Sequence, residues 1–71
     1  SGHDAGKVYV ITKVEEAYVY LVDGKVRTLD KPKKKKKKHV QLIKESFDIQ
    51  GATDVDIKRW IKIWIKEDNQ N

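Results

Sequence analysis

Six consecutive lysines, Lys33–Lys38, lie near the middle of this chain of 71 residues, with Lys31 just before them and His39 just after. Side chains of like charge repel one another and cannot pack into an apolar interior, so the run needs water or an anionic partner around it. We therefore expect this segment to be a loop. Its charge is not balanced nearby, because residues 1–46 contain 12 Lys and Arg against 6 Asp and Glu. Residues 47–71 contain 4 against 5, so the net charge of +5 belongs to the first two thirds of the chain.

Short strands are predicted on both sides of the lysine run. Four stretches are rich in β-branched and aromatic residues, namely Lys7–Val14, Ala17–Val22, Lys25–Leu29 and His39–Ile43. Glu15-Glu16 separates the first two. Asp23-Gly24 separates the second from the third, and this pair favours a tight hairpin because Gly accepts a positive φ. Pro32 ends the third stretch, since it cannot donate a hydrogen bond to a ladder.

One helix of about 14 residues is predicted after Gly51. Thr53 is a favourable N-cap, and Asp54 and Asp56 would face the positive end of the helix. Five apolar residues recur at helical spacing and would share one face: Ile57, Trp60, Ile61, Trp64 and Ile65. We expect this face to pack on the strands, with Phe47 and Ile49 tucked against them. A second face carries Lys58, Lys62 and Lys66, which are either solvated or a second contact for an anion.

The composition limits the possible functions. A chain this short buries only about 60% of its unfolded surface, and it has no Cys for a disulfide or a Cys-based zinc site. His3 and His39 are too few to hold a metal, and no nucleotide-binding or catalytic motif is present. We therefore expect no enzyme activity, metal, cofactor or small-molecule substrate. No signal peptide or membrane span is visible, so we expect a cytoplasmic protein without a membrane partner.

Two segments resemble a known family. Gly2-His-Asp-Ala-Gly-Lys-Val-Tyr-Val10 resembles a KOW motif, in which a Gly-Asp-Gly turn leads into an alternating apolar strand. Leu29-Asp-Lys-Pro followed by the six lysines and His39-Val-Gln41 resembles the lysine loop and next strand of small bacterial KOW-domain proteins. The hairpin sequence of residues 22–27 fits between them. Those proteins are similar to the fourteen-e large-subunit ribosomal protein family, and the resemblance covers about residues 2–43.

This resemblance implies a mainly β fold, namely a small SH3-like β-barrel of residues 1–46. Residues 47–71 would be a linker and an amphipathic C-terminal helix packed on the barrel, within the same single domain. In the family a further strand precedes the Gly-Asp turn, whereas this sequence begins at Ser1. Without that strand the barrel would have an open edge, which is a template for pairing with another chain.

The resemblance also implies a non-enzymatic RNA-binding protein associated with ribosomes or translation, within a ribonucleoprotein. Lysine suits phosphate better than base edges, so the run would bind RNA phosphates. The Gly2–Gly6 turn would be a second contact. The expected RNA-binding residues are His3, Gly6, Lys7, Lys31, Lys33, Lys34, Lys35, Lys36, Lys37, Lys38 and His39.

Other interpretations of these features stay open. The lysine run could be only a solvated loop that aids solubility. Tyr9, Tyr18 and Tyr20 could stack on unpaired bases, although we expect them in the barrel core. A different class of function is a protein-interaction module, which would use the open edge and the Trp/Ile helix to dimerise or to bind a peptide strand. A membrane-surface protein would instead need the Trp/Ile face free of the barrel.

Overall fold

A computed structural model describes residues 7–43 and 46–68 of the chain. It contains a three-stranded antiparallel sheet and one C-terminal helix. The strands are β1 (Val10–Val14), β2 (Tyr18–Val22) and β3 (Lys33–Lys36), and the helix is α1 (Asp54–Asp68). A turn of 3-10 helix, Lys37–His39, follows β3 directly.

The first two strands confirm the prediction and form a hairpin. Its turn is closed by the backbone N–H of Glu15, which donates to the carbonyl of Tyr18 at 2.8 Å. Val10 pairs with Val22 and Ile11 with Leu21, but the register then shifts, so that Lys13 pairs with Tyr20. An irregularity of this kind re-aims the side chains that follow it. Lys13 therefore shares a face with Tyr20, although strict alternation would have placed it on the face of Ile11.

The lysine run is not the predicted loop, because its first four residues form β3. They pair with β2 so that Lys33 lies opposite Leu21 and Lys36 opposite Tyr18. β2 is the central strand of the order β1-β2-β3, and β3 is an edge strand. An edge strand can carry charge because its side chains reach water and only one side of its backbone is paired. A run of like-charged residues can form an ordered strand here because its backbone pairs with β2 and because water surrounds the ammonium groups.

The predicted third strand, Lys25–Leu29, is wrong. The side chain of Asp23 accepts hydrogen bonds from the backbone N–H groups of Lys25, at 2.9 Å, and Arg27, at 2.8 Å. The backbone N–H groups of Asp23 and Gly24 in turn donate to the carbonyl of Arg27. These bonds hold residues 23–27 in a compact turn and take up donors that a sheet ladder would need.

The predicted fourth strand, His39–Ile43, is wrong as well. His39 ends the 3-10 turn, and residues 40–43 are irregular, with Leu42 68% exposed and Ile43 47% exposed. The edge of β2 on which such a strand could have paired is occupied by β3. Among residues 7–43 and 46–68, no pairing joins β1 to β3, so the observed sheet is open in this part of the chain.

The helix begins where the sequence predicts it. Thr53 and Asp56 bond reciprocally: the N–H of Thr53 donates to Oδ2 of Asp56 at 2.9 Å, and the N–H of Asp56 donates to Oγ1 of Thr53 at 3.4 Å. This reciprocal pattern satisfies N–H groups that have no partner within the helix. The first turn of α1 then packs against the 23–29 segment, because Oδ1 of Asp54 accepts from the N–H of Leu29 at 2.8 Å.

The core of the described residues is small and apolar. Its four buried side chains come from β2 and from one helix position: Val19, Leu21, Val22 and Ile57. Ile65, which the helical pattern assigned to the packed face, is 40% exposed. We expected Phe47 to pack on the strands. It stacks instead on Trp60 of the helix, with ring centroids 4.7 Å apart.

Acid should weaken the 23–27 turn through Asp23. Partial burial raises the pKa of this carboxyl, but the hydrogen bonds from the backbone of Lys25 and Arg27, followed by those of Asp23 itself and Val26, lower it, and the net pKa is below its ordinary value of 3.8. A carboxyl with a lowered pKa in the folded state stabilises the fold above its unfolded pKa. That contribution is lost as the pH falls through the folded pKa.

We therefore expect Asp23→Asn, which keeps the Oδ1 acceptor but cannot titrate, to lose less stability on acidification than the wild type. Urea unfolding followed by circular dichroism at about pH 6 and about pH 2.5 measures this difference. An equal loss of unfolding free energy in the two proteins would contradict this role of Asp23.

Candidate nucleic-acid interface

Strand alternation divides the lysine run between two faces of the sheet. Lys33 and Lys35 lie opposite Leu21 and Val19, and both lysines are half-buried. Lys34 and Lys36 lie opposite Tyr20 and Tyr18 and are exposed. The six lysines are therefore not one patch: two share a face with buried apolar side chains, two stand beside tyrosines, and the last two continue into the 3-10 turn.

Aromatic rings and ammonium groups meet on the outer face of the sheet, which we call the Tyr–Lys face. Its members come from all three strands: Lys13, Tyr18, Tyr20, Lys34 and Lys36. Nζ of Lys34 lies 4.5 Å from the ring centroid of Tyr18, and Nζ of Lys13 lies 5.3 Å from that of Tyr20. Both distances are within the range of a cation–π contact. Tyr18 and Tyr20 are thus half-buried members of a charged face and not the core residues that we expected.

One carboxylate lies within this face. Oε2 of Glu15 accepts a hydrogen bond from the Tyr20 hydroxyl at 3.3 Å and lies 3.7 Å from Nζ of Lys13. Its Oε1 lies 4.0 Å from Nζ of Lys34. The three side chains around Glu15 are all donors, so together they form a position suited to an anion. Because these ion pairs are largely exposed, each contributes little to stability.

The remaining predicted site residues differ in their placement. Lys7, Lys31, Lys37, Lys38 and His39 are exposed, and the last three follow the Tyr–Lys face along the chain as its 3-10 turn. His3 and Gly6, with the rest of the Gly2–Gly6 turn, lie outside the described residues. Lys13 belongs to the site but is not predicted from the sequence, because no sequence pattern indicates the shift in register that turns it toward Tyr20.

A second surface feature lies on the helix. Five side chains line a shallow groove there: Phe47, Trp60, Ile63, Trp64 and Glu67. Ile63 is 47% exposed and Phe47 39%. The basic residues of the helix lie elsewhere on its surface, and Arg59 pairs with Asp56 at 4.0 Å. The groove is the apolar surface that a protein-interaction module would use.

Within the described ranges, no three His, Cys, Asp or Glu side chains lie close enough together to hold a metal ion. In the same part of the chain, the helix is too short and too polar to span a bilayer. The sequence matches no protein-family model, and comparisons with curated proteins and with solved structures find no similar chain. The geometry of the Tyr–Lys face and the sequence resemblance are therefore the grounds for a functional proposal.

Proposed function

We propose that this protein is a non-enzymatic RNA-binding module of the KOW type, associated with ribosomes or translation, with an SH3-like β-barrel as its complete fold. The observation that carries the proposal is the pairing of β3 with β2. It places Lys34 and Lys36 on an exposed face beside two tyrosines and continues into Lys37, Lys38 and His39. The resemblance of residues 2–43 to the KOW-domain proteins supports RNA as the anion.

The mechanism is electrostatic docking on phosphates. Each ammonium group that neutralises a phosphate releases a counterion, so binding weakens as salt is added. Lysine provides a point charge without base-reading geometry, so these contacts give affinity and position more than sequence selectivity. The half-buried Lys33 and Lys35 lie on the other face and have a smaller part in the contact.

The two faces of β3 allow a matched test of this mechanism. We expect K34Q/K36Q to lower the affinity for RNA roughly tenfold and to reduce the slope of log K against log salt by about 1.4, since each phosphate contact on a single strand contributes about 0.7. K33Q/K35Q removes the same charge from the same strand but should have a clearly smaller effect. Fluorescence anisotropy with a labelled RNA hairpin that carries a single-stranded tail, at several salt concentrations, measures both quantities.

Two further controls complete the test. K62Q/K66Q removes two charges from the helix and should change the slope little, whereas E15Q removes the carboxylate beside Lys34 and should tighten binding. Equal losses in all three double variants would show that only total charge matters and would reject the Tyr–Lys face. A DNA duplex of the same length that binds as tightly as the RNA would contradict an RNA-specific function.

The alternative function is the protein-interaction module, and the exposed groove on α1 is the observation that favours it. Such a protein would bind no RNA under any of these conditions. Its mass in light scattering would instead rise with concentration, if the groove or an edge of the sheet joins two copies. The same titration and one scattering experiment therefore separate the two functions.

A further inference from the structure

The two tyrosines of the Tyr–Lys face have a geometry that phosphate binding alone does not explain. Tyr18 and Tyr20 alternate along β2 with the buried Val19 and Leu21, so their rings stand on the same outer side of the sheet. An ammonium group lies over each ring: Lys34 over Tyr18 and Lys13 over Tyr20. A ring face that an ammonium group covers becomes accessible when that ammonium group moves to another anion.

The relative strengths of the two contacts favour that exchange. An exposed cation–π contact is worth roughly twofold to fivefold in an equilibrium constant. Stacking of a nucleobase on an aromatic side chain is worth roughly fivefold to 150-fold. A base that displaces the ammonium of Lys34 from Tyr18 therefore gains more than is lost, and the ammonium is then free to meet a neighbouring phosphate.

The spacing of the rings selects the form of the nucleic acid. Residues two apart on a strand are separated by about 6.8 Å, whereas neighbouring bases stacked in a duplex are about 3.4 Å apart. Two rings whose backbone positions are about twice the stacking distance apart are poorly placed to each accept a neighbouring base while those bases remain stacked on each other. They suit an extended strand whose bases are unpaired and separated.

The position of Glu15 indicates where a phosphate would lie. Its carboxylate is within 4.0 Å of the Nζ atoms of Lys13 and Lys34 and accepts from the hydroxyl of Tyr20. The two ammonium groups and the Tyr20 hydroxyl are thus directed at one anion, the Glu15 carboxylate, beside the Tyr20 ring. A phosphate that replaces the carboxylate there would be adjacent to a base on that ring.

We propose that Tyr18 and Tyr20 are a stacking platform for unpaired bases, so that the ligand of this face is a single-stranded segment of RNA. Lys34 and Lys36 bind the phosphates that flank the stacked bases, and Lys13 binds the phosphate next to Tyr20. This inference rests on the proposed RNA-binding function and narrows its ligand from any RNA to single-stranded RNA.

The test compares Tyr18→Leu, which removes the ring but keeps an apolar side chain, with Tyr18→Phe, which keeps the ring. Three RNAs of equal length are titrated: an unstructured single strand of mixed sequence, the same strand with abasic sites in place of its bases, and a duplex. We expect Tyr18→Leu to bind the intact single strand roughly tenfold more weakly, with an unchanged salt slope, and Tyr18→Phe to bind it as the wild type does. Affinity for the duplex and for the abasic strand should not change.

The abasic strand tests the proposal on the wild-type protein, independently of whether Tyr18→Leu folds normally. We expect the wild type to bind it at least tenfold more weakly than the intact strand, because the phosphates are kept and the bases are lost. Equal affinity of the wild type for both strands would overturn the stacking platform, as would equal losses of Tyr18→Leu on single strand and duplex. In either case salt-dependent binding would leave the proposed function standing, whereas absence of binding to every RNA would reject the function itself.

Discussion

Gly24→Ala should destabilise the protein by about 3 kcal/mol, which is a large part of the roughly 4–10 kcal/mol expected for a domain of this length. Two causes add together. Gly24 has a φ of +81°, a conformation that costs a residue with a side chain about 1–2 kcal/mol. A Cβ atom at this position would also lie 2.5 Å from the backbone carbonyl oxygen of Asp54, in the first turn of α1. The helix would have to move away from the 23–27 turn and would strain the bond between Asp54 and Leu29.

Gly51 is a matched control for the first of these causes. Its φ is +79°, but a Cβ atom there would meet no atom of residues 7–43 and 46–68 within 4 Å. Gly51→Ala should therefore cost only the backbone strain of about 1–2 kcal/mol. Urea unfolding measures the free energy of unfolding of both variants. The difference between the two values is the cost of separating the helix from the turn. Equal destabilisation by the two substitutions would mean that α1 does not pack closely on Gly24.

Ile57→Ala should cost about 2–4 kcal/mol, because Ile57 is fully buried and is the helix residue in the core of the described residues. The loss combines the transfer of the apolar side chain to water with the cavity that it leaves. Ala has the highest helix propensity, so the substitution does not weaken α1 itself. Any loss of unfolding free energy therefore reports the packing of the helix against the rest of the protein.

Ile65→Ala makes the same chemical change on the same helix, at a side chain that is 40% exposed. Its cost should stay below about 1 kcal/mol. Unfolding in urea followed by far-UV circular dichroism compares the two variants. If Ile65→Ala costs as much as Ile57→Ala, the helix packs through the whole predicted apolar face, and the orientation of α1 described above is incorrect.

The sequence was sufficient to predict those elements that are determined by residues near one another in the chain. Thr53 and Asp56 satisfy each other within one turn, so the start of α1 could be predicted from those residues alone. The hairpin of β1 and β2 likewise depends on two β-rich segments and a turn of three residues between them. In both cases the residues that decide the structure are near one another in the chain.

The lysine strand depends on residues that are distant in the chain. Charge repulsion within Lys33–Lys36 predicts a loop, but the repulsion is offset by backbone pairing to β2 and by contacts of Lys34 with Tyr18 and Glu15. Conversely, Lys25–Leu29 has the composition of a strand, but the single carboxylate of Asp23 draws its N–H groups into a turn. The sequence showed the charge of the candidate site but not its division between two faces.

The order of the strands in the sheet, which is also their order in the chain, bears on how the protein folds. A hairpin of neighbouring strands forms within about 1–10 μs, so β1 and β2 can bring Lys13 and Tyr20 together first. The contact between Asp54 and Leu29 joins residues 25 positions apart and has to close a longer loop. The hairpin half of the Tyr–Lys face would then be in place before the charged third strand is added and before the helix docks. The pairing of β3 with β2 completes the Tyr–Lys face and brings Lys34 to Glu15, beside Lys13, so an anion that neutralises these two ammonium groups would favour that step.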